Sequence, residues 1–228
     1  MRMHESLLNL MTGVATACAV VVTSVVVYGR VTKPAAVDAP RDQPRRRNRV
    51  IADWERQVAL GRRMGSADAP LTMVYYGDFE CPACRSFTRM VEEFRHKQPE
   101  DLRVVFRHLP LTYHRFAYPS ARAAECAADQ GQFEAMYQLL YNLQDSLGLL
   151  PFREIARRAA VPDLVLFDRC ATDTARVPRI ERDRAAAAST QLPGTPGVII
   201  AGTLYLEKLP TASDLERLVR EARANQRE

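Results

Sequence analysis

Residues 71–94 hold the feature that most restricts the fold. Leu71-Thr72-Met73-Val74-Tyr75-Tyr76 is a short apolar run rich in aromatic and β-branched side chains, which reads as a buried strand. Cys81-Pro82-Ala83-Cys84 follows it, and Cys84, Phe87, Val91 and Phe94 then recur at helical steps on one stripe. A Cys-x-x-Cys pair at a strand end thus opens a helix. Cys81 takes the N-cap position, and Pro82 takes the first helical position, where its missing N–H costs nothing. Free amides and the positive end of the helix dipole then face the Cys81 sulfur. They favour a thiolate, the reactive form of cysteine. Cys84 lies one turn further on, on the buried stripe, so the spacing makes Cys81 the nucleophile and Cys84 the resolving thiol.

A bare Cys-x-x-Cys pair also fits half of a zinc site, which wants four ligands. The sequence has no second such pair. His108 and His114, the nearby candidates, read as surface or loop residues, so no metal is expected.

The remaining chain supplies an α/β pattern. Ile51, Trp54 and Val58 suggest a short amphipathic helix, with Trp54 packed on the domain. Leu102 to Leu109 reads as a second strand. Residues 114–188 are Ala-rich and helical, broken at Gly131, Gly148–Pro151, Pro162 and Pro178. Val198-Ile199-Ile200 and Leu204-Tyr205-Leu206 form a hairpin around Ala201-Gly202. Thr211 and Asp214 cap a last amphipathic helix through Leu215, Leu218, Val219 and Ala222. Strand–helix–strand, helical block, hairpin–helix is the order of a sheet interrupted by a helical insertion, here over about 114–190.

The N-terminal part is of another kind. After a short tail, residues 1–6, no charge occurs from Ser6 to Gly29, and the apolar stretch is about as long as a bilayer-spanning helix. Residues 7–29 are therefore expected to be a transmembrane signal-anchor. A cleaved signal peptide would have a shorter apolar core and a small-residue cleavage site close behind, which Tyr28-Gly29-Arg30-Val31 fits poorly. Ala15-Thr16-Ala17-Cys18 faintly resembles a lipoprotein site, but another apolar run follows Cys18. Residues 30–50 carry Pro34, Pro40 and Pro44 and read as a tether. Seven basic side chains against Asp38 and Asp42 give them a net charge of +5, equal to that of the whole chain. The domain over 51–228 is therefore neutral. Nucleic acid, which needs a basic face on the folded module, is excluded as a partner. The basic run suits anionic headgroups instead.

Gly194-Thr195-Pro196-Gly197 precedes the hairpin, and a proline at the start of a strand is often cis. Together with Asp78-Phe79-Glu80-Cys81-Pro82-Ala83-Cys84-Arg85-Ser86-Phe87, Phe106-Arg107-His108-Leu109-Pro110-Leu111, Ala123-Ala124-Glu125-Cys126-Ala127 and Gln130-Gly131-Gln132-Phe133, this segment makes residues 51–228 resemble the DsbA-like family of thiol–disulfide oxidoreductases. The resemblance implies a thioredoxin fold with an inserted helical domain over the active site. It implies that Thr195 and a cis-Pro196 lie beside Cys81, with Thr195 backbone groups available to a substrate strand. Two departures stand out. Ala83 replaces the aromatic residue or histidine often found there, and Tyr75 holds the place, six residues before the first cysteine, where members often carry an acid. Glu80 adds a like charge beside Cys81. These changes suggest a couple less oxidising than the strongest oxidants of this kind, near about −120 mV.

Cys126 and Cys170 fall on two helices of the insertion. They are either two small buried residues or a structural disulfide, which some family members have. An oxidising compartment permits the disulfide, and in the chain-entropy model it stabilises by roughly 3–4 kcal/mol. The expected function is dithiol–disulfide exchange with cysteine-containing protein substrates, without metal or organic cofactor, together with a membrane or soluble redox partner. A reductase or isomerase fed by a membrane electron donor, or a non-catalytic thioredoxin-fold binding module, are the alternatives. The basic residues 30–49 place the domain inside by the positive-inside count. Catalysis of oxidation requires the extracytoplasmic side, and that placement is expected.

Overall fold

The computed structural model describes residues 47–226. The tail, the expected transmembrane helix over 7–29 and most of the tether lie outside the described residues. Among the described residues, no helix is long and apolar enough to cross a membrane.

Six strands form one mixed sheet: β1 (Arg49–Val50), β2 (Arg62–Met64), β3 (Leu71–Gly77), β4 (Leu102–His108), β5 (Gly197–Ile200) and β6 (Thr203–Tyr205). Their spatial order is β1-β6-β5-β3-β4-β2. β3 and β4 run parallel, in register from Leu71 opposite Leu102 to Gly77 opposite His108, and every other pairing is antiparallel. Helix α1 (Trp54–Leu60) lies between β1 and β2, and α2 (Pro82–Lys97) crosses from β3 to β4. Five helices separate β4 from β5: α3 (Ala117–Ala128), α4 (Phe133–Asn142), α5 (Phe152–Arg158), α6 (Leu164–Thr172) and α7 (Pro178–Ser189). The last helix, α8 (Ala212–Asn225), starts with a capping box between Thr211 and Asp214.

Both faces of the sheet are covered, which is why the central strands read as continuous apolar runs rather than alternating ones. Met73 and Tyr75 of β3, Val104 and Phe106 of β4, and Val198 and Ile200 of β5 face one core, shared with α2, α4 and α8. Val74, Tyr76, Val105 and Ile199 face the other, with Ile51, Trp54, Val58 and Ala187 packed on it.

Two expectations are corrected, and one strand carried no sequence signal. The tether does not run to residue 50: Arg49 and Val50 pair with Leu204 and Thr203 and form an edge strand. β2 carries Arg62-Arg63 and no apolar period. Pairing with β4 makes it a strand, and Arg62 is held by Glu125, with Nη2 to Oε2 at 2.5 Å. His108 is neither a surface nor a loop residue. It ends β4, fully buried, with Nε2 at 2.8 Å from Glu125 Oε1. The Glu125 carboxylate, held at about 2 by hydrogen bonds from His108 and Arg62 against the cost of burial, makes a ring nitrogen tolerable there.

Candidate active site

The end of β3, the start of α2, the loop before β5 and one turn of the helical block converge on Cys81. The chain leaves β3 through a tight turn in which the Cys81 N–H donates to the Asp78 carbonyl (3.2 Å) and the Glu80 N–H to Asp78 Oδ1 (2.8 Å). Asp78 Oδ2 also accepts the Leu111 N–H (2.9 Å) and lies 2.7 Å from His114 Nδ1. A carboxylate with this many partners fixes the turn. His114 is a loop residue, as expected, but partly buried and tied to Asp78.

Cys81 is the N-cap of α2, with extended φ/ψ of −76° and 119°, and Pro82 opens the helix. The first amides of α2 are thereby free to face the sulfur. Cys81 retains 7% of its surface and Cys84 none. Both are reduced. The Thr195–Pro196 peptide is cis, and the Thr195 carbonyl accepts from Cys81 Sγ at 3.7 Å. The structure therefore brings Cys81, Pro82, Ala83, Cys84, Thr195 and Pro196 into one place.

The two sulfurs are electrically unequal. A hydrogen bond from the Cys84 thiol brings Cys81 down to about 5, helped by Thr195 and the Cys84 and Ala83 amides and opposed by partial burial. Burial pushes the Cys84 thiol far up, and its hydrogen bond to Cys81 and the Cys81 charge add to this. The Thr195 hydroxyl, buried and without another partner, lowers both. The arrangement keeps a nearly buried thiolate over a protonated, fully buried thiol. Glu80, read as an opposing charge, accepts the Phe116 N–H where α3 begins.

Some residues of the site carried no sequence signal. Gln144, in a short 3-10 turn (Gln144–Ser146), donates from Nε2 to the carbonyls of Phe79 (2.7 Å) and Cys81 (3.0 Å). A lone glutamine between helices announces nothing. Asp78 was readable: an Asp starting a tight turn before an N-cap is a common way to satisfy its amides. Elsewhere, Cys126 on α3 and Cys170 on α6 are joined as a disulfide with Cα atoms 5.8 Å apart. Among the described residues, no group of three or more His, Cys, Asp or Glu side chains is placed to hold a metal ion.

A family model described as Thioredoxin matches residues 58–221. A sodium–proton antiporter of Mycolicibacterium gilvum, NhaA 1, is 38% identical over 169 residues, 73% of this chain and 27% of its own length. The chain thus spans about a quarter of the length of such curated relatives. Among solved structures, a thioredoxin-like oxidoreductase from Silicibacter pomeroyi DSS-3 superposes with a TM-score of 0.60 at 25% identity, over 72% of this chain and 92% of that one. Alpha-DsbA1 of Wolbachia pipientis superposes with a TM-score of 0.57 at 21% identity, over 73% and 94%, and shares the fold.

Proposed function

The chain belongs to the thioredoxin family, and on that premise we propose that it is a DsbA-type thiol–disulfide oxidoreductase acting on cysteine-containing proteins through Cys81 and Cys84. One observation carries this reading: Cys81 caps α2 beside the Thr195 carbonyl, one turn before a fully buried second thiol, an arrangement that favours the Cys81 thiolate. In the oxidised enzyme, a substrate thiolate attacks Cys81 Sγ, the Cys81–Cys84 bond breaks, and Cys84 leaves and takes up a proton. A second substrate thiolate then attacks the substrate sulfur of the mixed disulfide, a substrate disulfide forms, and Cys81 leaves as the thiolate that the site stabilises. The exchange needs no metal or organic cofactor. A membrane or soluble redox partner reoxidises the pair. The substrate backbone would pair beside Thr195, next to the cis-proline. Cys84→Ser is expected to accumulate mixed disulfides with substrate proteins, and Cys81→Ser to abolish refolding and insulin-reduction activity. A Cys81→Ser variant that still assists refolding as well as the unaltered protein would leave only a binding module.

In the same proposal, residues 7–29 anchor the domain in the cell membrane as a single span, with the domain outside the cytoplasm. The Cys126–Cys170 disulfide supports an oxidising compartment. The antiporter relatives are named for a membrane activity and include a segment similar to this domain, which also favours work at a membrane. Protease added to intact spheroplasts should degrade the domain; full protection would place it inside.

A further inference from the structure

The helical insertion reaches the active-site turn through a residue that the exchange chemistry does not use. Gln144 opens the 3-10 turn between α4 and α5 and is buried. Its side-chain nitrogen carries two N–H bonds, and both point at the chain around Cys81. One goes to the Phe79 carbonyl (2.7 Å) and the other to the Cys81 carbonyl (3.0 Å). These two carbonyls flank the step from turn to helix. The Cys81 carbonyl also accepts the Arg85 N–H (3.1 Å) in the first turn of α2. Phe79 is buried, and among the described residues no backbone N–H reaches its carbonyl. A buried carbonyl without a donor is costly, so Gln144 fixes where the turn ends and the helix begins. The segment bearing Gln144 is held in its own right. The Leu147 N–H donates to the Gln144 carbonyl (3.1 Å), and the Leu149 and Leu150 N–H groups donate to the Ser146 carbonyl (3.0 and 2.9 Å). Asp145, the next residue, pairs with Arg85 of α2 at 2.7 Å, but this pair is exposed on the Asp145 side and worth little.

We propose that Gln144 is a positioning residue for Cys81: its carboxamide holds the two carbonyls that set the sulfur against the first amides of α2 and the Thr195 loop. The proposal rests on the reading of Cys81 and Cys84 given above. The Cys84 thiol, Thr195 and the amides of Cys84 and Ala83 favour the Cys81 thiolate, and each of these contacts depends on where the turn places the sulfur. The negative end of the Cys81 carbonyl dipole opposes a thiolate on the same residue, and Gln144 donates to that end. The charged groups of the neighbouring elements are engaged elsewhere. Asp78 accepts the Glu80 and Leu111 amides and lies against His114. Glu80 accepts the Phe116 amide, and Arg85 donates to Asp145. Gln144 makes and breaks no covalent bond in the exchange. It sets how far Cys81 is ionised, and through it the insertion tunes the couple.

The test follows iodoacetamide alkylation of reduced protein against pH in two variants. Gln144→Met keeps the length of the side chain and loses both donors. Gln144→Asn keeps the amide but draws it back by one methylene, and it carries the test if Gln144→Met does not fold. Each should raise the Cys81 midpoint by about one pH unit, a tenfold smaller ionisation constant. Each should also lower the potential in equilibration with glutathione by about 30 mV. Asp145→Asn, which breaks the exposed pair of the same turn, should change neither. Urea unfolding provides the contrast: lower stability in the Gln144 variants with an unmoved midpoint would mean a merely structural role and overturn the proposal. An Asp145→Asn shift as large as that of Gln144→Met would overturn it too, because any loosening of the turn would then suffice. A midpoint near about 8.5 in the unaltered protein would instead remove the reading of Cys81 on which the proposal rests.

Discussion

Ala83 offers no cation to the Cys81 thiolate, so the charge rests on the Cys84 thiol, Thr195 and the amides of Cys84 and Ala83. The resulting value of about 5 falls between about 3.5 for the strongest oxidants of this fold and about 7 for thioredoxin. A more stable thiolate means a more stable reduced form and a higher potential. The Cys81–Cys84 couple is therefore expected between about −120 and −270 mV in equilibration with glutathione, and a value at the upper extreme would contradict the assignment. At this scale the sequence was legible where chemistry follows from position in a helix: Cys81 at the N-cap, Pro82 behind it, Cys84 on the buried stripe. The buried hydroxyl cluster of Tyr75, Thr88 and Tyr141, with Tyr75 Oη 3.1 Å from Thr88 Oγ1 and 3.3 Å from Tyr141 Oη, was not legible. Tyr75, Thr88 and Tyr141 come from β3, α2 and α4, and no local pattern says that their hydroxyls meet. His108 was misread for the same reason, because its partner Glu125 arrives from another element.

Elements with their own periodicity or capping were readable from residues alone. The Thr211–Asp214 box, the β5–β6 hairpin and the amphipathic α2 all follow from local rules. β1 and β2 were not, because two or three residues have no period and become strands only by pairing at the sheet edges. The helical block needed a tertiary bond to be understood. Cys126 and Cys170 are 44 residues apart and tie α3 to α6. Replacing both with Ala should lower unfolding free energy by about 3–4 kcal/mol in the chain-entropy model. Urea unfolding would measure this, and Cys81 reactivity should stay unchanged because the bridge does not touch it. A loss below about 1 kcal/mol would show that helix packing alone holds the block.

For the whole molecule, the sheet has a chemical face and a structural face. On the structural one, Arg107 of β4 donates from Nε to Asp183 Oδ1 of α7 (2.7 Å) and from Nη1 to Gln57 Oε1 of α1 (2.6 Å), all three buried. This pairing fastens the insertion to the sheet far along the chain from the cysteines, and a strand read as apolar gave no sign of it. On the chemical face, β3, α2, the cis-proline loop and the Gln144 turn jointly hold one sulfur. Because its folded pKa lies below the ordinary thiol value, the thiolate's contribution to the reduced form is complete above about pH 9 and is lost as pH falls through about 5. The most direct test is the rate of Cys81 alkylation by iodoacetamide in the reduced protein as a function of pH. A rate half-maximal near pH 5 and flat through neutrality is predicted. A midpoint near about 8.5, that of a free thiol, would contradict the account.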